Sequence, residues 1–172
     1  ENIANNGSGY ARGIDIFWRD KKSIRFFDYW VTYSYIDTKR LYQNYPEMAT
    51  PDFISKHNFS FVSKYWINSI TTQVGMSFNA SSGRNYDDTS TPEFMDLKTG
   101  WYNNLSFNLS KVFFIGNQYS VFYFSVSNVL GSDPVLAYRP TSAADSNGNY
   151  QLTPVKQDSK RFFFLGLFLN FD

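Results

Sequence analysis

Few residues in this chain have the chemistry for acid–base catalysis or metal binding. His57 is the only histidine and cysteine is absent, which excludes a His-centred triad, a multi-histidine metal site, thiolate ligands and disulfides. We interpret His57 as a residue at the outer rim of a strand. Asp87 and Asp88, with Asp96 nearby, could bind a hard cation through oxygen. Their spacing matches no recognised metal-binding loop, so we interpret them as solvated loop charges and predict no metal site.

The remaining motifs with chemical potential are weaker. The run Gly7-Ser8-Gly9 is too sparse for a phosphate loop and precedes a strand pattern rather than a helix. Asp15 and Asp37 lie on or beside different strand patterns, so nothing in the sequence pairs them as general acid and base. We therefore predict that the chain is not an enzyme, has no catalytic residues and needs no cofactor.

Binding groups are concentrated in three long polar segments, residues 37–55, 82–100 and 131–159, which are rich in proline, glycine, serine and charge. We read each segment as a loop, and loops on a rigid scaffold commonly carry binding residues. Tyrosine offers a broad ring face and arginine a forked donor. The candidate ligand-binding residues are Tyr42, Tyr45, Arg84, Tyr86, Tyr138 and Arg139. Packing between loops is the alternative role for each of them.

The segments between these loops alternate between apolar and polar residues, which predicts β-strands. The clearest is residues 101–113, where Leu105, Phe107 and Leu109 alternate with polar residues such as Asn108. The final segment is largely Phe and Leu, with Gly166 on its less uniform face. The predicted strands are residues 10–19, 27–36, 57–67, 70–81, 101–113, 119–130 and 160–171.

The composition and the loop lengths favour a membrane β-barrel. Aromatic residues make up 20% of the chain and charged residues only 18%, so the polar faces of the strands carry mainly Ser, Thr and Asn rather than Lys and Glu. Connections alternate between short and long, as in outer-membrane barrels with tight periplasmic turns and long external loops. No apolar run approaches the about 20 residues that a spanning helix needs. Near the strand ends lie the aromatic residues expected at membrane interfaces, Trp18, Tyr29, Trp66 and Trp101.

Strand direction predicts that the chain is one part of a larger barrel. If the long loops face outward, the last strand runs towards the periplasm, Asp172 lies there, and residues 1–8 begin outside. Complete single-chain bacterial barrels have an even number of strands. Seven strands that start in a surface loop are therefore expected to be the C-terminal piece of a longer barrel. A soluble β-sandwich is the alternative arrangement of the same strands. The net charge of +1 gives no reason to expect a nucleic-acid partner.

Several short runs resemble the last third of TonB-dependent outer-membrane receptors. The most specific is an Asn-Val-Leu-Gly run that ends the penultimate strand, followed by a long loop and an Arg-Phe-led final strand. The runs are Gly9-Tyr10-Ala11-Arg12-Gly13-Ile14-Asp15-Ile16, Tyr33-Ser34-Tyr35, Ser82-Gly83-Arg84, Ser127-Asn128-Val129-Leu130-Gly131 and Arg161-Phe162-Phe163-Phe164-Leu165-Gly166.

This resemblance implies an antiparallel transmembrane β-barrel of about 22 strands with an N-terminal plug, in the outer membrane of a Gram-negative bacterium. Such receptors import a scarce nutrient, for example a siderophore, glycan or peptide. Residues 1–172 would form a single C-terminal segment of that barrel without the plug. The implied partners are outer-membrane lipid, the remaining strands and plug of the same receptor, TonB through that plug, and a surface lipoprotein. The alternatives are a small self-contained outer-membrane barrel with a structural or adhesion role, and a soluble β-sandwich binding module.

Overall fold

The computed structural model describes residues 7–42, 44–146, 148 and 150–170, and the chain is all-β over these residues. The predicted external start at residues 1–6, Asn147 in a predicted turn, and Phe171 and Asp172 lie outside the described residues. Among the described residues, no helix is long and apolar enough to span a membrane. The strands are β1 (Ser8–Asp20), β2 (Phe27–Leu41), β3 (His57–Ile67), β4 (Thr72–Ser81), β5 (Asn85–Tyr86), β6 (Leu97–Lys98), β7 (Tyr102–Ile115), β8 (Gln118–Ser127), β9 (Ala137–Ala144), β10 (Tyr150–Val155) and β11 (Phe162–Leu169).

Seven of these strands form one antiparallel sheet in the order β1-β2-β3-β4-β7-β8-β11. They correspond to the seven strands predicted from the sequence, so the prediction of an antiparallel all-β fold is confirmed. Each strand of the sheet pairs with the next one along the chain, apart from the two small hairpins inserted between them. This up-and-down order leaves β1 and β11 as the two edges of the sheet.

The first two strands of the sheet are longer than predicted, and the fourth, the sixth and the last are shorter. β2 continues to Leu41 because its charged end pairs with β1: Asp37 lies opposite Arg12, and the two side chains form an ion pair at 2.9 Å. In the sequence alone these charges resembled a loop. β4 begins at Thr72 rather than Ile70, since a single 3-10 turn precedes it and Thr71 adopts a left-handed backbone conformation with φ of 47°.

Two of the long segments predicted as loops contain short hairpins. β5 pairs with β6 inside the second segment, and β9 pairs with β10 inside the third. The prolines in the third segment argued against strands. Pro140 and Pro154 nevertheless lie in β9 and β10, because each strand of an isolated two-stranded ribbon has one free edge where a missing N–H costs no ladder bond.

The register places most of the apolar residues of the seven strands on one surface of the sheet, which we call the apolar face. Phe107, for example, lies opposite Met76 on β4 and opposite Val126 on β8. Because side chains alternate along a strand, this pairing extends across the whole sheet. The face carries Ile14, Ile16, Trp18, Val31, Tyr33, Phe59, Phe61, Val74, Met76, Phe78, Leu105, Phe107, Leu109, Phe122, Phe124, Val126, Phe163, Leu165 and Leu167.

The opposite surface, which we call the polar face, is lined mostly by small uncharged polar residues. They include Thr32, Ser34, Asn58, Ser60, Ser77, Asn79, Asn104, Ser106, Asn108 and Ser125. Larger apolar residues interrupt this face, among them Phe17 on β1 and Trp30 on β2. On the last strand, Phe164 and Phe168 lie on the polar face, one on each side of Gly166, and both rings approach the position where a Cβ of that glycine would be.

Few of the described apolar residues are fully buried. In the described part of the chain the buried hydrophobic residues are Ala49 and Met95, and both lie in long connections rather than between sheet layers. Ile14 and Leu165 on the apolar face are 62% and 67% exposed. A β-sandwich needs two packed sheets with a shared apolar core, whereas the described residues form one large sheet and two small ribbons. The sandwich alternative is therefore not the fold observed.

Aromatic rings form a row across the apolar face at the end of the sheet with the short turns. Trp18 packs edge-on against Tyr29 at 5.2 Å between ring centroids, and Phe27 stacks on Tyr29 at 5.0 Å. Tyr65 continues the row beyond Phe27. Trp66 was also predicted as an aromatic residue at the membrane interface. Because adjacent side chains of a strand point to opposite faces and Tyr65 lies on the apolar face, Trp66 lies on the polar face. It therefore does not join this row.

Candidate functional site

The three long connections all leave the same end of the sheet, which we call the loop end. They are residues 42–56 between β2 and β3, residues 82–101 between β4 and β7, and residues 128–161 between β8 and β11. The other three connections are short and lie at the opposite end. An up-and-down antiparallel sheet requires this separation, because successive connections must lie at alternate ends.

The first two long connections are tied to each other and to the sheet. Ala49 exchanges backbone hydrogen bonds of 2.9 and 3.2 Å with Arg40 at the end of β2. A backbone bridge joins Ser55 of the first connection to Arg84 of the second. Gly83 passes directly against the Thr99 backbone, where a Cβ would overlap the Thr99 carbonyl oxygen. These contacts hold the first two loops in one fixed arrangement.

The third connection is anchored by Asn128, the first residue after β8. Asn128 is only 4% exposed and has a left-handed backbone conformation with φ of 52°. Its side-chain oxygen accepts a hydrogen bond of 3.1 Å from the Ser132 N–H, and its amide group donates to the carbonyls of Ser132 and Lys160. One side chain therefore joins both ends of the long connection where it leaves β8 and enters β11.

An ion pair closes the base of the same connection. Asp133 lies 3.0 Å from the Lys156 ammonium and 3.4 Å from that of Lys160. The hydrogen bond from Lys156 lowers the pKa of the Asp133 carboxyl. Its folded-state pKa is thus below the unfolded value, so the stabilisation is present at neutral pH and is lost as the pH falls through the folded pKa.

We expect Asp133→Asn to make the bonds after Lys156 and Lys160 more accessible to trypsin. Because the pair is largely exposed, the expected rise in cleavage rate is modest, about two- to fivefold at low salt, and it should shrink as salt is raised. Timed digestion analysed by mass spectrometry measures it. Asp158→Asn, at an exposed carboxylate of the same connection, is the control and should leave the rate unchanged. Equal rates for both variants would contradict this role of the ion pair.

Aromatic residues from all three connections surround a cavity of about 290 Å³, which we call the aromatic loop cavity. Tyr86 of β5 contacts Tyr138 of β9 with ring centroids 4.3 Å apart. Tyr45 of the first connection packs edge-on against Phe94 of the second at 4.9 Å. The cavity is lined by Tyr45, Asp52, Asn85, Tyr86, Asp87, Thr89, Phe94, Met95, Ala137, Tyr138, Pro140, Tyr150 and Leu152.

The electrostatic environment of the aromatic loop cavity is negative. Its described lining contains the carboxylates of Asp52 and Asp87 but neither Lys nor Arg. Burial raises the pKa of the Tyr45 phenol, and the negative charge of Asp52 raises it further. Burial likewise raises the pKa of Tyr86. Both phenols therefore stay protonated at neutral pH and can act as hydrogen-bond donors.

The structure brings together three of the six predicted ligand-binding residues. Tyr45, Tyr86 and Tyr138 line the aromatic loop cavity, and Tyr42 packs edge-on against Tyr45 at 5.3 Å from just outside it. The two arginines lie elsewhere. Arg84 lines a neighbouring cavity of about 270 Å³ with Val135, Leu136 and Gln157. Arg139 is an exposed residue of β9, opposite Thr153, and does not line the aromatic loop cavity. Ligand binding by the six stays a prediction.

His57 lies at the start of β3, the rim position expected from the sequence. Its Nδ1 is 2.8 Å from the Tyr33 hydroxyl, and its ring lies 5.0 Å from that of Tyr35. In the described residues, no group of three or more histidine, aspartate or glutamate side chains is arranged to hold a metal ion. Asp87 instead lies at the aromatic loop cavity, where its carboxylate accepts a bond of 3.3 Å from the Met95 N–H.

Sequence reasoning missed several cavity residues. Asp52, Phe94, Tyr150 and Leu152 were not among the candidates, although they line the cavity beside Tyr45 and Tyr86. No local pattern marks them, since they belong to three different connections. The one available signal was the density of Tyr, Phe and Asp in the long loops.

No known protein family, curated protein or solved structure matches this chain. What the chain does must therefore be argued from its fold and from the geometry of the loop end.

Proposed function

We propose that this chain is part of the barrel wall and external loops of a TonB-dependent outer-membrane transporter that imports a scarce nutrient. The observation that carries the proposal is the shared register of seven antiparallel strands, which places most of their apolar residues on one exposed face. A continuous apolar surface of this extent on a folded chain calls for lipid or a partner. In the proposed barrel the apolar face meets lipid and the polar face lines the lumen.

Strand length and aromatic placement agree with this arrangement. A tilted transmembrane strand needs about 9–11 residues, and β3, β4 and β8 have 11, 10 and 10. The aromatic row of Trp18, Phe27, Tyr29 and Tyr65 lies on the apolar face beside the short turns. That is the level at which barrels carry an aromatic girdle on the periplasmic side. The loop end, with its aromatic cavity, then faces outward.

The two sheet edges support a larger assembly. In lipid an unpaired strand edge is not viable, because its N–H and C=O groups have no water to bind. In the proposed transporter, strands from the rest of the barrel pair with β1 and β11. The assignment to the TonB-dependent family rests on the resemblance of the short sequence runs. Among them, the Asn128–Gly131 run has a defined role here, since it anchors the third loop.

Membrane location is tested by fractionating the cell envelope of the source organism with an antibody against a peptide from residues 82–101. We expect the protein in the outer-membrane fraction, as part of a polypeptide longer than this chain, with heat-dependent mobility in detergent gels. A soluble protein would contradict the barrel wall. An outer-membrane polypeptide no longer than this chain would instead identify the small self-contained barrel.

Transport is tested separately by deleting the gene and, in another strain, the gene for TonB. We expect both strains to lose growth on the same limiting nutrient, and restoring each gene should restore growth. The transporter role would be contradicted if the strain that lacks this protein grew normally on every limiting nutrient that the strain without TonB cannot use. The barrel-wall assignment would be unaffected by that result.

A further inference from the structure

We infer that the aromatic loop cavity binds an organic cation, that is, an ammonium group carried on a small apolar body. The inference rests on the proposed function, because it names the class of ligand that the outward-facing loops would capture. It is drawn from three properties of the cavity: its ring faces, its uncompensated carboxylates and its small volume.

The cavity is lined by aromatic rings from all three long connections. Tyr86 and Tyr138 form one pair at 4.3 Å, and Tyr45 and Phe94 form a second pair at 4.9 Å. Tyr150 adds a fifth ring to the lining. Aromatic faces attract cations through the ring quadrupole, and several rings around one space form the kind of cage that recognises ammonium groups.

The carboxylates distinguish this cavity from its neighbour. Asp52 and Asp87 form no ion pair with any described residue, and no basic side chain is found in the described lining. The adjacent cavity of about 300 Å³ also contains carboxylates, but three lysines, Lys39, Lys56 and Lys98, offset them. A cation would therefore be attracted more strongly by the aromatic loop cavity than by this neighbour, because no described basic side chain offsets the charges of Asp52 and Asp87.

The volume limits the size of the ligand. At about 290 Å³ the cavity lies just below the range for small-molecule sites, about 300–1,000 Å³. Leu152, Pro140 and Ala137 provide apolar contact for the body of the ligand. A small neutral carbohydrate could also stack on tyrosine and donate to a carboxylate, so it is the competing ligand that the experiment must distinguish.

Isothermal titration calorimetry of the intact protein in nonionic detergent, with choline as the probe, tests the inference. The comparison ligands are the neutral analogue of choline, in which a quaternary carbon replaces the nitrogen, and maltose. We expect choline to bind about tenfold more tightly than the neutral analogue, and more weakly as salt is raised. Equal binding of choline and its analogue, binding of maltose alone, or binding of none of the three would overturn the inference.

Variants locate the binding site. We expect Tyr86→Ala to weaken choline binding about tenfold, and Asp52→Asn and Asp87→Asn to weaken it about three- to tenfold each. Phe53→Ala and Asp158→Asn remove an exposed ring and an exposed carboxylate of the same loops outside the cavity, and should leave affinity unchanged. Equal losses in the control variants would place choline elsewhere. A protein that resides in the outer membrane but fails to bind choline would refute the ligand class and leave the barrel wall intact.

Discussion

Replacing Phe107 by arginine is expected to destabilise the protein in a lipid bilayer by about 2–4 kcal/mol. Phe107 lies in the middle of β7, between Met76 and Val126 on the apolar face, and is 37% exposed. In the proposed barrel this position is near the centre of the bilayer, where a guanidinium loses its hydration. The free energy of unfolding by denaturant in phospholipid vesicles, followed by tryptophan fluorescence, measures the effect.

The adjacent residue provides a matched control. Asn108 lies on the polar face, where its side chain covers Gly75 of the neighbouring strand. Asn108→Arg introduces the same charge one residue away but directs it towards the proposed water-filled lumen, so a much smaller loss is expected. If both variants lost the same free energy of unfolding, the apolar face would not be the lipid-facing surface.

Replacing Asn128 by alanine is expected to cost about 2–4 kcal/mol of unfolding free energy. The change removes three partly buried side-chain hydrogen bonds to the backbone of Ser132 and Lys160, each worth about 1 kcal/mol. It also places alanine in a left-handed conformation that asparagine tolerates better, at a cost of about 1 kcal/mol. The same denaturant titration measures the loss.

Two further variants separate these contributions. Asn128→Gly restores the backbone freedom but not the hydrogen bonds, so it should recover about 1 kcal/mol relative to Asn128→Ala. Asn103→Ala changes an asparagine of β7 that has no side-chain hydrogen bond to a described residue and should cost little. A similar small loss at Asn103 and Asn128 would show that the third loop does not depend on this anchor.

The anchoring role of Asn128 also explains why the run from Ser127 to Gly131 stands out in the sequence. Gly131 has φ of 67° and lies against the Arg161 guanidinium, which is 2.9 Å from where a Cβ would be. Asn128 and Gly131, which both have positive φ, are thus favoured by the backbone path from β8 into the loop. The sequence marked the run as distinctive, but only the structure shows what each residue does.

Sequence patterns predicted the secondary structure less accurately where charged residues interrupt a strand, and where a long connection contains a hairpin. The end of β2 resembled a loop because Asp37 and its charged neighbours break the apolar alternation. In the fold, Asp37 is paired with Arg12 on β1, so the strand continues. The β9–β10 hairpin was missed because its prolines usually exclude a strand, yet at the free edges of a two-stranded ribbon they are tolerated.

The sequence by itself determined the seven strands of the sheet and the face on which each side chain lies. A strand repeats every two residues, so apolar alternation is a local property that survives in any fold that pairs the strands in register. The tertiary structure decided the aromatic loop cavity. Tyr86, Tyr138 and Asp52 belong to three separate connections, and no sequence periodicity relates residues that lie in different connections. These residues line one cavity because contacts at the loop end, among them those of Ser55 and Asn128, hold the connections together.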